Sequence, residues 1–248
     1  MNLPVDYIGP GDLLKDRVVL VTGAGQGLGR AAALAFARHG ATVVLHGRKV
    51  PKLEAVYDAI VEQGAAQPAI FPLDLAQAVD GDFDNLANAI FKEFGRLDGI
   101  LHSASHFVPL SPLAIQTLDQ WLELTRVNLC APFAMTRACL PLLKKAADAS
   151  VIFTSETHAA DARAYWGGFA VAKSGLHTLV SVWADEFAGS PLRFNALVPG
   201  PVATPQRHQS HPGESPAALP APESLLPAYL WLMGPDSRGV SGHVLAKR

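Results

Sequence analysis

Residues 22–29 read Thr-Gly-Ala-Gly-Gln-Gly-Leu-Gly, directly after an apolar run and directly before an alanine-rich stretch. Glycines at Gly23, Gly25, Gly27 and Gly29 let the backbone turn tightly and approach a pyrophosphate. A helix starting there offers free N–H groups and the positive end of its dipole. Gln26 and Leu28 lie in the same turn and are expected to meet the same ligand. The spacing is not the common GxGxxG, and a glycine-rich turn alone is weak evidence. A second feature sets the sign of the charge: the next apolar run ends His46-Gly47-Arg48, with Lys49 and Lys52 close by. NAD binders of doubly wound folds place Asp or Glu there to accept from the ribose 2′-OH. Here no carboxylate repels a 2′-phosphate, and Arg48 is suited to charge-assisted bonds with one. NADP(H) is therefore favoured over NAD(H); the competing reading of Arg48 is a solvated surface residue.

Strand-length apolar runs at 17–22, 42–46, 69–72, 97–102, 151–154, 192–198 and 243–246 alternate with helical patterns. The helical patterns cover 27–39, 51–63, 83–94, 118–125, 128–145, 169–187 and 223–233. Near-continuous apolar strands alternating with helices predict a parallel sheet covered on both faces. The fold class is α/β: a Rossmann-type doubly wound parallel sheet of about seven strands, in one domain spanning 1–248. The one compositional break is 199–222, where seven of 24 residues are proline and only Arg207 and Glu214 are charged. Loops this long inside a compact domain are usually functional. This one follows the sixth strand at its carboxyl end, so it is expected to border a substrate.

The chain has 248 residues, 49% of them hydrophobic and 17% charged, with a formal net charge of −2. That composition excludes a disordered chain and offers no basic field for nucleic acid or an anionic membrane. The first residues lack a signal-peptide pattern, and no apolar run has membrane-spanning length. Cys130 and Cys139 are too few for a disulfide framework or a zinc site and read as small buried or half-buried thiols on a helix. A cytoplasmic location, with no metal, is the expectation.

The pattern Thr-Gly-x-x-x-Gly-x-Gly resembles the short-chain dehydrogenase/reductase family, and other landmarks follow in the family's order. Asp74-Leu75 resembles the family's adenine contact, and Asn128 in Val-Asn-Leu its active-site asparagine. Lys173 heads Lys-Ser-Gly as its catalytic lysine does. Residues 195–204, with Pro199, Gly200, Val202 and Thr204, resemble the segment that lies against the nicotinamide. Ser103 and Ala104 lie in His-Ser-Ala-Ser, where the family has Asn-Asn-Ala-Gly. Residues 164–170 and 232–238 look closest to a bacterial YciK-like branch. The resemblance implies a small-molecule carbonyl or alcohol substrate. It also implies a homodimer or homotetramer through the helices near 128–145 and 169–187 and the last strand.

The family works with Asn, Ser, Tyr and Lys. Its tyrosine moves the proton, its lysine lowers the tyrosine pKa from four residues on, and its serine holds the substrate oxygen. Four residues before Lys173 stands Phe169, and thirteen before Phe169 stands Glu156. Phe169 has no proton to give, and Glu156 would oppose the negative charge that a carbonyl oxygen gains. The opposed signs suggest instead that Glu156 pairs with Lys173. A one-residue slip puts Ser155 or Thr157 near the serine site; candidates to carry the proton are His158, His102 and Tyr165, which in a continued helix would lie one turn before Phe169. Phe107-Val-Pro-Leu and the proline-rich loop are expected to make the substrate pocket apolar. The resulting reading is an NADP-binding oxidoreductase whose catalysis is altered or lost. A non-catalytic NADP-binding sensor or assembly partner is the alternative. Enoyl-reductase-like C=C reduction is a minor one, because Tyr165 misses that tyrosine register by one residue.

Overall fold

The computed structural model describes Leu3, Pro4 and residues 6–247. Seven strands make one sheet: β1 (Val18–Thr22), β2 (Thr42–Gly47), β3 (Ala69–Pro72), β4 (Gly99–His102), β5 (Ala149–Thr154), β6 (Leu192–Val198) and β7 (Val244–Ala246). Their spatial order is β3-β2-β1-β4-β5-β6-β7, and every pair is parallel. The order reverses direction between β1 and β4, which opens a crevice at the carboxyl ends of those strands. The doubly wound expectation holds.

Helices cover both faces because the strands are apolar on both. One face packs α1 (Gly27–Arg38) and α2 (Val50–Glu62), together with α8 (Leu226–Met233), onto Val19, Val21, Val43 and Leu45. The other packs α3 (Asp80–Phe94), α5 (Ala131–Leu143) and α6 (Gly167–Glu186) onto Leu20, Val44, Ile100 and Val151. Alternate residues of one strand serve opposite layers, as the two-residue period of a strand requires. No helix among the described residues is long and apolar enough to cross a membrane.

Three elements differ from expectation. The segment read as one helix from residue 128 begins as a five-residue π-helical turn, Arg126–Cys130, which joins α4 (Leu118–Thr125) to α5. The wider turn inserts one residue into the helical register, a device common at functional sites. The proline-rich segment is not a bare loop: Thr204 caps α7 (Pro205–Ser210), and its hydroxyl accepts from the Arg207 N–H. Proline at the first helical position suits that start, where its missing N–H costs nothing. Finally, α6 begins at Gly167, and Tyr165 before it has φ +77°, outside the helix.

Candidate active site

A cleft of about 460 Å³ runs along the carboxyl edge of the sheet. Gly23, Gly25, Gln26, Gly27, Leu28, Arg48, Asp74, Leu75, Ser103 and Ala104 line one stretch of it. Lys173, Pro199, Gly200, Val202 and Thr204 line the other, with Glu156. Every predicted cofactor residue is therefore on its wall except Gly29.

Gly29 acts behind that wall. A β-carbon on it would sit 2.4 Å from the Gly23 carbonyl oxygen, so only glycine lets α1 close onto the end of β1. Gly23 itself has φ +67°, and a β-carbon there would lie 2.9 Å from the Ala104 backbone. Thr22 seals the same junction by accepting from the N–H groups of Ser103 and Ala104, both at 3.0 Å. Gly29→Ala is expected to cost roughly 1–3 kcal/mol of stability through overpacking, read as a fall in the urea midpoint. An unchanged midpoint would mean that α1 can slide away.

At the end of β2, Arg48 projects into solvent with Asp74 at 3.9 Å, both well exposed. Such a pair is weak and readily exchanged for a stronger anion. Lys49 and Lys52 line the same end, and Lys52 donates to the Gln26 side chain, tying the glycine turn to α2. His46 is buried here, and neither ring nitrogen finds a hydrogen bond among the described residues. Burial lowers its pKa to about 4, so it is a neutral ring near pH 7. The chemistry of this wall fits a dinucleotide: flexible backbone for a pyrophosphate, and cations beyond it.

At the other end, Lys173 is 4% exposed and donates to the Thr154 carbonyl at 3.0 Å. Burial pulls its ammonium down to about 8, and the charge of Glu156 opposes that drop. The predicted ion pair does not form: no Glu156 contact to a cation lies within bonding range among the described residues. The carboxylate instead accepts from the Thr157 N–H at 2.8 Å, as a cap on the short turn that follows β5. Capping holds the side chain short of the lysine. Phe169 is 2% exposed, with its ring edge-on to Phe107 at 5.1 Å and the Lys173 Nζ 5.8 Å from its centre.

A short chain dehydrogenase family model matches residues 17–215. The chain belongs to the short-chain dehydrogenase family. It is 42% identical over 231 residues to the uncharacterized oxidoreductase YciK of Escherichia coli K12, covering 93% of this chain and 91% of that protein. That places it in the YciK-like branch. A Pseudomonas syringae protein described as a short chain dehydrogenase superposes with a TM-score of 0.93 at 44% identity, over 97% of this chain and 98% of the other. A third relative, from Escherichia coli CFT073 and solved in complex with NADPH, superposes at 0.93 with 41% identity, over 96% and 98% of the two chains.

Within this short-chain dehydrogenase, the side-chain amide of Asn128 has no capacity left for a water. Its oxygen accepts from the Ser105 hydroxyl and the His106 N–H, and its nitrogen donates to the carbonyls of His106 and Leu124. Both amide hydrogens are used, so the side chain clamps the loop after β4 to the π-helical turn. Tyr165 does not reach the cleft. Gln116 fills the space beside Gly167, accepts from Trp121 and Gly168, and donates to the Ser111 carbonyl. Ser111 in turn donates its N–H to the Tyr165 carbonyl. These ties stop α6 short of Tyr165 and leave its ring exposed. His102 is buried on Thr136, and burial, then the charges of His46 and Lys173, lower its pKa to about 3. It is neutral and faces away from the cleft. His158 bonds the Asp161 carbonyl and is likewise off the cleft wall.

The proline-rich segment borders the cleft through Pro199, Val202 and Pro205, but the expected Phe107-Val108 lining does not. Phe107 and Val108 pack inward on Trp166 and Phe169, while α7 turns Gln206, Arg207, Gln209 and Ser210 to the cleft. The mouth is polar. One pair escaped the sequence reading: the Ser155 hydroxyl lies 2.6 Å from Nε2 of His177. His177 follows Lys173 by four residues, so the helical period carried the signal, although nothing local marks its partner.

Proposed function

We propose that this short-chain dehydrogenase is an NADP(H)-dependent oxidoreductase that moves a hydride without the family's serine–tyrosine acid. The carrying observation is the end of β2, where Arg48, Lys49 and Lys52 line the cleft and Asp74, the one carboxylate lining that end among the described residues, holds Arg48 only at 3.9 Å. The NADPH bound by a relative that is 41% identical supports the same cofactor here. When bound, the reduced nicotinamide supplies a hydride. The residues of this chain do the rest. The glycine turn and the start of α1 receive the pyrophosphate, and Asp74 and Leu75 border the adenine. Lys173, held by Thr154, is placed for the nicotinamide ribose. Pro199, Gly200, Val202 and Thr204 close the far side.

A non-catalytic NADP-binding role is the second reading, favoured by the saturated Asn128 and the buried Phe169. In both readings the protein is cytoplasmic and one domain, with 199–222 bordering the substrate. Exposed apolar side chains on α4, α5 and α6 (Leu118, Leu122, Phe133, Val171 and Val182) support a homodimer or homotetramer through these helices.

Fluorescence titration of the protein with NADPH and NADH tests the cofactor reading. Arg48→Ala is expected to weaken NADPH by roughly 10–100-fold, the worth of a charge-assisted bond, and to change NADH little. Equal losses for the two would remove the 2′-phosphate role.

A further inference from the structure

We infer that the hydride acceptor is a cationic C=N group, a protonated imine or a quaternary iminium, and not a neutral carbonyl. The inference rests on the hydride-transfer reading above and names its substrate class.

The first ground is the missing proton. A carbonyl that takes a hydride becomes an alkoxide and needs an acid in the transition state. Phe169 offers none, Tyr165 is held outside the cleft, and both amide hydrogens of Asn128 are committed. The Ser155 hydroxyl is engaged with His177, and the Ser105 hydroxyl donates to Asn128. Lys173 uses one of its three ammonium hydrogens on the Thr154 carbonyl, and under the proposed function the others go to the nicotinamide ribose rather than to the acceptor.

The second ground is charge. Glu156 lines the same end of the cleft as Lys173, and one of its oxygens caps Thr157. No cation pairs with it among the described residues. Arg207, the arginine of α7 that lines the cleft, is bound through both Nε and Nη2 to Glu214. A half-buried carboxylate that bonds no cation directly raises the cost of an oxyanion beside it and lowers the cost of a cation. The two departures from the family pattern therefore point the same way. An acceptor that arrives positive needs no acid and welcomes an anion.

The step balances without a proton. The iminium carbon gains a hydride and a C–H bond forms. The C=N π pair moves onto nitrogen as its lone pair, which cancels the nitrogen's charge. The nicotinamide is oxidised by two electrons, and the amine takes a proton from water only after transfer. Once protonated, that amine is again a cation and should bind Glu156.

The full-length protein is first titrated with NADPH, then assayed with N-methyl dihydroisoquinolinium and protonated pyrroline against neutral tetralone and cyclopentanone. Iminium kcat/KM is expected to exceed that of the ketones by roughly 10²-fold or more, since an acid typically supplies ~10²–10⁴ and only the ketones lack one. A readout independent of turnover is calorimetric binding of tetrahydroisoquinolinium to the NADP⁺ form. Glu156→Gln should weaken it roughly tenfold or more, as for loss of a charge-assisted bond. Glu156→Asp, which keeps the charge, should retain most of the affinity, and binding of neutral tetralin should not change. Comparable turnover of ketones overturns the inference, as does ammonium binding indifferent to Glu156→Gln. Iminium left unreduced by NADPH-loaded protein overturns it while leaving the cofactor reading intact. Failure to bind either nicotinamide cofactor overturns the proposed function, and this inference with it.

Discussion

Glu156→Ser combined with Phe169→Tyr is expected to raise NADPH-dependent reduction of a generic ketone by roughly 10²–10⁴-fold over the parent, the typical contribution of a positioned acid. Residue 169 lies one helical turn before Lys173, whose Nζ is already 5.8 Å from the ring centre. A phenol placed there gains an ammonium neighbour, which favours its ionised form and lowers its pKa. The serine removes the carboxylate that would oppose the growing oxyanion and supplies a hydroxyl for it. Neither change should suffice alone. Phe169→Tyr retains the anion, and Glu156→Ser still has no acid. The two substitutions should therefore be strongly non-additive, as groups acting on one atom are. Steady-state kinetics on the parent, both single variants and the double variant measure that coupling, with NADPH titration to establish loading. Silence from a loaded double variant would mean that the polar mouth formed by α7, and not only the acid, has diverged.

The relation of Phe169 to Lys173 was legible because helix geometry converts spacing into position. Phe169 and Lys173 share one face of α6 whatever surrounds them, and counting from Lys173 reaches Glu156 on the turn after β5. The strands were equally readable: Ala69–Pro72 and Leu192–Val198 agree with the apolar runs residue for residue. What stayed hidden depends on distant partners. Tyr165 leaves the helix because Gln116 and Ser111 hold the chain in front of Gly167. The Thr157 N–H competes with Lys173 for Glu156, and hydrogen bonds of this local kind leave no periodic trace. The π-helical turn adds one residue to an apolar pattern that still reads as a helix on either side. In α7, two apolar-free turns after Pro205 carry no amphipathic stripe, so the segment looked like loop although Thr204 is a sound N-cap.

Largest among the stability effects, and equally invisible in the sequence, is the expected cost of Asp148→Ala: roughly 3–5 kcal/mol, the usual penalty for stranding a buried charge. Asp148 sits just before β5 with its side chain 5% exposed and receives both Arg17 and Arg193, with Arg238 at 3.5 Å. Arg193, on β6, is 4% exposed, and burial lowers its pKa while Asp148 holds it up. The same guanidinium donates to the Gly234 carbonyl, and Arg17 to that of Met233, each at 3.0 Å. One carboxylate thus fastens the amino ends of β1, β5 and β6 to the end of α8, at the edge of the sheet opposite the cleft. Removing it leaves three guanidiniums in mutual repulsion, one of them unable to reach water. Asp148→Asn should fall between parent and alanine, since it keeps the shape and one acceptor but not the charge. Asp148→Leu with Arg193→Met should recover much of the loss, because removing both charges also removes their desolvation cost. Urea unfolding at fixed protomer concentration, with the slope checked for constancy, reads all three. A loss under about 1 kcal/mol for Asp148→Ala would place the cluster with exposed ion pairs and remove its structural role.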